Sequence, residues 1–206
     1  MAKLDKASGE CLKIILKDFS VEHTITSLSK DIGNTRMGIW KTLKKLQSDK
    51  LIILMPAGKG KTSTYLIRLN WENKLVEKML VMLLTEEALK HPRWLDNFSE
   101  LEDKADFIIL YGSILHSPKE ASDIDILGVV SDKKKFIQIH KTIDKIQITQ
   151  IKKIHSMNFT EEELRKELIS QKNPSFIDAL KKGSILFGQE KFIKFVKNKL
   201  EKKYIG

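Results

Sequence analysis

Four residues in the C-terminal half have the types and the spacing of a site that binds phosphate and metal. Gly112 and Ser113 end an apolar run, and a glycine at such a point lets backbone N–H groups approach an anion closely. Asp123 follows Ser113 after nine intervening residues, and Asp125 is two residues further on. Side chains two apart in a strand point to the same face. Two carboxylates held in this way suit Mg²⁺, which binds carboxylates together with phosphate oxygens of a substrate.

These residues need a sheet to hold them, and the hydrophobic pattern around them predicts one. Short apolar or alternating runs predict strands over residues 107–111, 124–130, 146–151 and 184–187. Apolar residues at helical spacing predict helices over residues 133–144, 160–170, 173–182 and 190–203. We therefore expect an α/β (α+β) arrangement here, with a helix after Ser113 whose N-terminal end faces phosphate.

The Gly-Ser pair, the short spacer and the Asp-x-Asp motif resemble the signature of the nucleotidyltransferase superfamily typified by DNA polymerase beta. The resemblance is strongest to its minimal nucleotidyltransferase branch, and it runs from about Phe107 to Gly188. It implies a mixed sheet with flanking helices. It also implies that a nucleoside monophosphate is transferred from a nucleoside triphosphate (NTP) to a hydroxyl group, with Mg²⁺ or Mn²⁺ as the cofactor. The implied catalytic and metal-binding residues are Asp123 and Asp125, and the implied nucleotide-binding residues are Gly112, Ser113 and Ser122.

The sequence departs from the family pattern at three points. The family carries a third carboxylate on the next strand, and in the predicted strand over residues 146–151 the matching position is Gln147, which cannot act as a base. His116 and Ser117 stand where many members have an arginine and a glycine. The spacer is also one residue shorter than in some members. Two hypotheses therefore stay open: an active nucleotidyltransferase, and a transcriptional regulator that keeps an inactive, nucleotide-sensing transferase fold.

The first seventy residues have the pattern of a winged helix-turn-helix domain. Helical patterns over residues 8–19, 26–33 and 35–46 precede strand-like runs over residues 51–55 and 63–69. Ser8 and Thr35 are predicted to cap the first and third helices. The segment from Gly33 to Ile52 resembles the recognition-helix region of archaeal and bacterial winged-helix regulators, although Asp49 and Lys50 replace the small residue and glycine usual there.

The third helix is the expected DNA reader, because the second helix of such a pair enters the major groove. Its apolar stripe of Ile39, Leu43 and Leu46 must face the core, which leaves polar and basic residues outside. Arginine can read guanine, and lysines can neutralise phosphates. The residues expected to contact double-stranded DNA are Thr35, Arg36, Met37, Trp40, Lys41 and Lys44 on the helix and Lys59 and Lys61 at the wing. The alternative is a protein-interaction module in which Trp40 lies in the interface.

The basic composition fits a polyanionic partner, and it fits equally well a solvated, lysine-rich surface. The net charge is +10, and residues 1–72 hold 13 Lys and Arg against 7 Asp and Glu. The single cysteine, Cys11, excludes an internal disulfide and fits a reducing cytoplasm, and neither a membrane span nor a signal peptide is expected. The spacing of His23, His91, His140 and His155 does not predict a zinc site. The expected domains are residues 1–70, a helical linker over 71–104, and residues 105–206; a homodimer is compatible with the sequence.

Overall fold

The computed structural model describes residues 4–57, 64–170 and 174–205. The chain forms two compact units, residues 1–83 and 84–206. The fold is α+β, with a helical N-terminal part and a mixed sheet in the C-terminal part. Helix α4, Lys74–Ala88, passes from the first unit into the second.

The N-terminal unit has the element order of a winged helix. Its elements are α1 (Lys6–Lys17), α2 (Ile25–Ile32), α3 (Arg36–Ser48), β1 (Ile52–Pro56) and β2 (Tyr65–Leu69). The two strands pair antiparallel, with Ile52 opposite Leu69. The predicted stripe of α3 is confirmed, because Ile39, Leu43 and Leu46 are all buried. Cys11 is also buried, and this burial raises the pKa of its thiol to about 11.

The ends of these helices follow local capping chemistry. The side chain of Thr35 accepts a hydrogen bond from the Gly38 N–H, so Thr35 caps α3 as predicted. Gly33 ends α2 in the left-handed conformation, with φ of 70°. The predicted cap at Ser8 is wrong: α1 begins earlier, because the Asp5 side chain accepts a hydrogen bond from the Ser8 N–H, and Ser8 itself is buried.

The C-terminal unit is a four-stranded sheet with helices on its faces. Its elements after α4 are α5 (Pro92–Phe98), β3 (Phe107–Tyr111), β4 (Asp123–Val130), α6 (Lys135–Gln147), β5 (Lys153–Thr160), α7 (Glu161–Ser170), α8 (Pro174–Lys182), β6 (Ser184–Phe187) and α9 (Gln189–Ile205). The strand order is β5-β4-β3-β6. Strands β4 and β5 are parallel, whereas β3 is antiparallel to both β4 and β6, so the sheet is mixed.

Apolar side chains of β3 and β4 are buried on both sides of the sheet. Ile124 and Ile126 pack in a cluster with Ile139 and Ile143 of α6. Phe107 packs against aromatic rings of α9, with ring centroids 5.5 Å from Phe192 and 5.7 Å from Phe195. Because both faces of these strands are buried, their polar residues lie near the strand ends.

One strand predicted for this unit is in the wrong place. Residues 146–151 are not a strand, because Ile146 completes the buried helical stripe of Ile139 and Ile143, while Ile148 and Ile151 are exposed. The isoleucine alternation therefore does not mark one buried face, and the strand comes later as β5. Helix α4 ends at Ala88, and Pro92 opens α5, where its missing N–H costs no hydrogen bond.

Within the described part of the chain, no helix combines the length and apolarity that a bilayer span requires.

Candidate metal centre and nucleic-acid interface

Gly112, just after β3, lies against the carboxylate of Asp125 on β4. We call this region, which also includes Asp123, the β3–β4 corner. Gly112 has φ of 83° and ψ of −166°, a backbone conformation that is almost confined to glycine. A Cβ atom built on Gly112 would lie 2.5 Å from Oδ2 of Asp125. The close approach arises from strand register, because β3 and β4 pair Tyr111 with Asp125. Glycine is thus needed here both for the backbone conformation and for the space that the carboxylate occupies.

Asp123 and Asp125 lie on one face of β4. Ile124 and Ile126, the alternate residues, are buried in the core, and the two aspartates are half-buried. One carboxylate oxygen from each aspartate lies within 4.8 Å of the other. This alternation is what period-two strand geometry predicts from the sequence.

His155 is the third member of this group, and the sequence analysis missed it. In the parallel pairing of β4 with β5, His155 lies opposite Asp125. Its Nδ1 atom is 3.5 Å from Oδ2 of Asp123 and 3.6 Å from Oδ1 of Asp125. The ligand atoms of the three side chains all lie within 4.8 Å of one another. A strand over residues 153–160 would have revealed the group, but the alternating isoleucines predicted that strand over residues 146–151.

Gln147 does not occupy the position of a third carboxylate. It lies at the end of α6, where its Oε1 accepts a hydrogen bond from the Ile154 N–H at 2.7 Å. Its Nε2 donates to the Lys152 carbonyl at 3.1 Å. Gln147 therefore joins the end of α6 to the start of β5, and the residue that β5 places beside Asp125 is His155.

Negative charge is concentrated at this corner. Burial raises the pKa of the Asp125 carboxyl, and the charge of Asp123 raises it further, whereas His155 opposes the shift. Burial, with the charges of Asp125 and Asp123, raises the pKa of Tyr111 to about 12. The smaller contribution to both shifts, the charge of the neighbouring carboxylates, is one that a bound cation would offset. A divalent cation fits these residues, because two carboxylate oxygens and an imidazole nitrogen are common metal ligands.

The residues that flank the acids are exposed. Ser113 and Ser122 both lie at the surface near the corner. The helix expected after Ser113 is only a single 3-10 turn, Ser113–Leu115, in which the Ser113 carbonyl accepts from the N–H groups of His116 and Ser117. The prediction of a full helix after Ser113 is therefore wrong, and phosphate binding by Gly112, Ser113 and Ser122 stays a prediction.

The exposed face of α3 carries the residues expected to contact DNA. Thr35, Arg36, Met37, Lys41 and Lys44 are exposed. Lys59 and Lys61 lie outside the described residues. The glycine within α3, Gly38, leaves room for the capping side chains: an added Cβ would lie 2.8 Å from Oδ1 of Asn34.

Trp40 is only partly exposed, because its ring packs on the hairpin. The ring centroids of Trp40 and Tyr65 of β2 are 5.5 Å apart. The Nζ atom of Lys44 lies 4.7 Å from the centre of the Trp40 ring, within the range of a cation–π contact. Trp40 therefore packs α3 against β2 and stays partly exposed.

No protein-family model and no curated protein matches this chain. Among solved structures, the chain is similar to a cysteine-to-serine mutant of ZitR from Lactococcus lactis, with 16% sequence identity and a TM-score of 0.31. The similarity covers 72% of this chain and 80% of that chain. A TM-score this low supports no conclusion about fold or function.

Proposed function

We propose that the C-terminal unit is a divalent-cation-dependent nucleotidyltransferase and that the N-terminal winged helix binds duplex DNA. The observation that carries the first half is the β3–β4 corner, where two aspartates share one strand face and one of them, Asp125, lies against a position that has room only for glycine. We infer the reaction class from the resemblance of the motif to minimal nucleotidyltransferases. In this proposal the DNA-reading domain spans residues 1–70 and the transferase domain residues 105–206.

In the proposed reaction an acceptor hydroxyl oxygen bonds to the α-phosphorus of an NTP. The bond from that phosphorus to the pyrophosphate oxygen breaks, pyrophosphate leaves, and the hydroxyl proton passes to solvent. Mg²⁺ or Mn²⁺, when bound, would neutralise charge on the attacking and leaving oxygens. Asp123 and Asp125 supply the carboxylate oxygens that hold the cation. Gly112 leaves the space that the Asp125 carboxylate occupies, and the hydroxyls of Ser113 and Ser122 are the donors proposed for phosphate.

The second candidate is a DNA-binding regulator whose transferase fold binds nucleotide without turnover. The observation that favours it is the residue beside Asp125 on the neighbouring strand. The family resemblance implies a carboxylate there, whereas this chain has His155.

A panel of NTPs labelled at the α-phosphate separates the two candidates. With Mg²⁺ or Mn²⁺, we expect label to be transferred to the protein or to added nucleic acid by the wild type and not by Asp123→Asn. The matched control is Asp144→Asn, which changes an exposed acid of α6. Triphosphate binding without transfer would favour the regulator, and the absence of both would exclude either use of the corner.

The DNA-binding half depends on the exposed basic face of α3. Replacing both Arg36 and Lys41 by alanine should weaken duplex binding and lower the salt dependence of log K by about 1 for each phosphate that the protein no longer neutralises. The control pair is Lys74→Ala with Lys90→Ala, two exposed lysines outside the winged helix. Equal affinity and equal salt slope for the Arg36/Lys41 variant and the wild type would exclude α3 as the DNA-contacting helix.

A further inference from the structure

The donor set at the β3–β4 corner differs from that of a site built only from carboxylates. Asp123 and Asp125 offer oxygen, but the side chain that β5 places next to them offers nitrogen. Mg²⁺ prefers oxygen ligands, whereas imidazole suits first-row transition-metal ions. One nitrogen among three protein ligands would favour a transition-metal ion over Mg²⁺.

The distances at the corner are close to those between ligand atoms that share one ion. For metal–ligand bonds of about 2.1 Å, neighbouring ligand atoms lie about 3 Å apart on an octahedral ion and opposite ones about 4.2 Å. On a tetrahedral ion the separation is about 3.4 Å. Nδ1 of His155 lies 3.5 Å and 3.6 Å from oxygens of Asp123 and Asp125. Small side-chain rotations would bring all three atoms onto a single cation.

The backbone already aims the imidazole at the acids. Parallel pairing places His155 directly beside Asp125, and Ile154, the residue before it, is buried on the opposite face. The Gln147 side chain accepts from the Ile154 N–H, which secures the start of β5 at this register. The His155 side chain is 48% exposed, so a hydrated cation can reach Nδ1 from solvent.

We propose that Nδ1 of His155 is the third protein ligand of this centre and that the two-aspartate, one-histidine set selects a transition-metal ion such as Mn²⁺ over Mg²⁺. This inference rests on the proposed function for the position of the metal, but it makes a separate claim about ligand identity. The competing role for His155 is a counter-ion that pairs with the two acids without touching a metal.

Pulsed electron paramagnetic resonance of the full-length chain with Mn²⁺ alone, and with Mn²⁺ and a non-hydrolysable NTP, distinguishes these roles. A coordinated imidazole gives a ¹⁴N coupling to the Mn²⁺ signal. We expect that coupling in the wild type and in His140→Gln, which changes an exposed histidine of α6, and we expect its loss in His155→Gln and His155→Asp. Circular dichroism confirms that each variant is folded.

Competition supplies the second measurement. In His155→Asp the third ligand becomes a carboxylate, so the Mg²⁺ concentration that displaces half of the Mn²⁺ should fall about tenfold or more relative to the wild type. In His140→Gln it should not change.

The outcomes separate this inference from the proposed function. Mn²⁺ that is bound through Asp123 but shows no ¹⁴N coupling in the wild type would overturn the role of His155 and leave the acid pair intact. Unchanged competition in His155→Asp would overturn the selectivity claim. A ¹⁴N coupling without any nucleotide transfer would support the ligand assignment while excluding the enzyme. Failure to bind Mn²⁺ with or without the nucleotide analogue would overturn both.

Discussion

The exposed face of α3 and the β3–β4 corner are assembled in different ways. On α3, the residues proposed to contact DNA lie within ten positions of one another and share one helix. At the corner, the side chains come from the start of β4 and from β5, and they meet the turn after β3. A helical face depends on the 3.6-residue period of a single segment, whereas the corner depends on which strand pairs with which, and in what register.

This difference predicts different sensitivity to mutation. A helical face should lose function residue by residue, because each side chain reaches its ligand from the same rigid segment. The corner should lose metal binding as a whole, because a shift of one backbone segment also moves the two aspartates. The following four predictions bear on the two regions, beginning with the largest expected effect.

Gly112→Ala should damage the corner most. An alanine at φ of 83° would be strained, and its Cβ would lie 2.5 Å from Oδ2 of Asp125. We expect the free energy of unfolding to fall by about 1–3 kcal/mol from backbone strain, with Mn²⁺ binding abolished as Asp125 moves. Urea denaturation and metal titration measure the two effects.

The control for this change is Gly33→Ala, which also has positive φ but no neighbouring atom within 4 Å of the added Cβ. The Gly33→Ala variant should have a lower free energy of unfolding and an unchanged affinity for Mn²⁺. If Gly112→Ala keeps normal Mn²⁺ affinity, the corner does not act as a unit.

The contact between Trp40 and Tyr65 tests whether α3 is independent of the hairpin. A double-mutant cycle with Trp40→Ala and Tyr65→Ala should give a coupling free energy of about 0.5–1.5 kcal/mol, as for other aromatic pairs. Chemical denaturation of the four proteins measures it. If the two substitutions have additive effects on stability, the contact between the two rings does not help to hold α3 against the hairpin.

Asp5→Ala should have a smaller effect on the N-terminal unit. Asp5 caps α1 and pairs with Lys45 of α3 at 2.7 Å. Loss of the cap should cost about 0.5–1 kcal/mol. The pKa of Asp5 is lowered to about 2, chiefly by Lys45, so its ionised form stabilises the fold above pH 4 and this contribution is lost as the pH falls towards 2.

Asp5→Asn is the informative partner of that variant, because asparagine keeps a cap but not the charge. Its unfolding free energy should fall less steeply between pH 4 and pH 2 than that of the wild type. Identical pH profiles would show that the Lys45 pair does not contribute to stability. Asp31→Asn, which changes an exposed acid of α2, serves as the control.

Asp125→Asn should have the smallest effect on stability, and in the opposite direction. The pKa of Asp125 is raised, chiefly by burial, so the group contributes stability below its usual pKa near 4, and that contribution is lost as the pH rises through the raised value. The asparagine variant should therefore unfold at the same or a slightly higher temperature at pH 7, while losing Mn²⁺ binding. A clear drop in its melting temperature would contradict the burial argument.

The sequence predicted most elements of the fold, and the failures have physical causes. Strands β3 and β6 lie at the predicted residues, because apolar runs bounded by glycine or charged residues permit few alternatives. The end of α6 was misread because Ile146, Ile148 and Ile151 resemble the apolar positions of a strand, although only Ile146 is buried. The sequence pattern shows which positions are apolar, but it does not show which of them pack against another element.

Local chain geometry was enough to determine that Asp123 and Asp125 share a face, that Thr35 caps α3 and that Ile39, Leu43 and Leu46 face the core. Each of these depends on residues a few positions apart. The presence of His155 beside the acids, the approach of Gly112 to Asp125 and the role of Gln147 were decided by the tertiary structure alone. They depend on pairing between segments separated by several to about thirty residues, and strand register is set by the whole sheet rather than by any one strand.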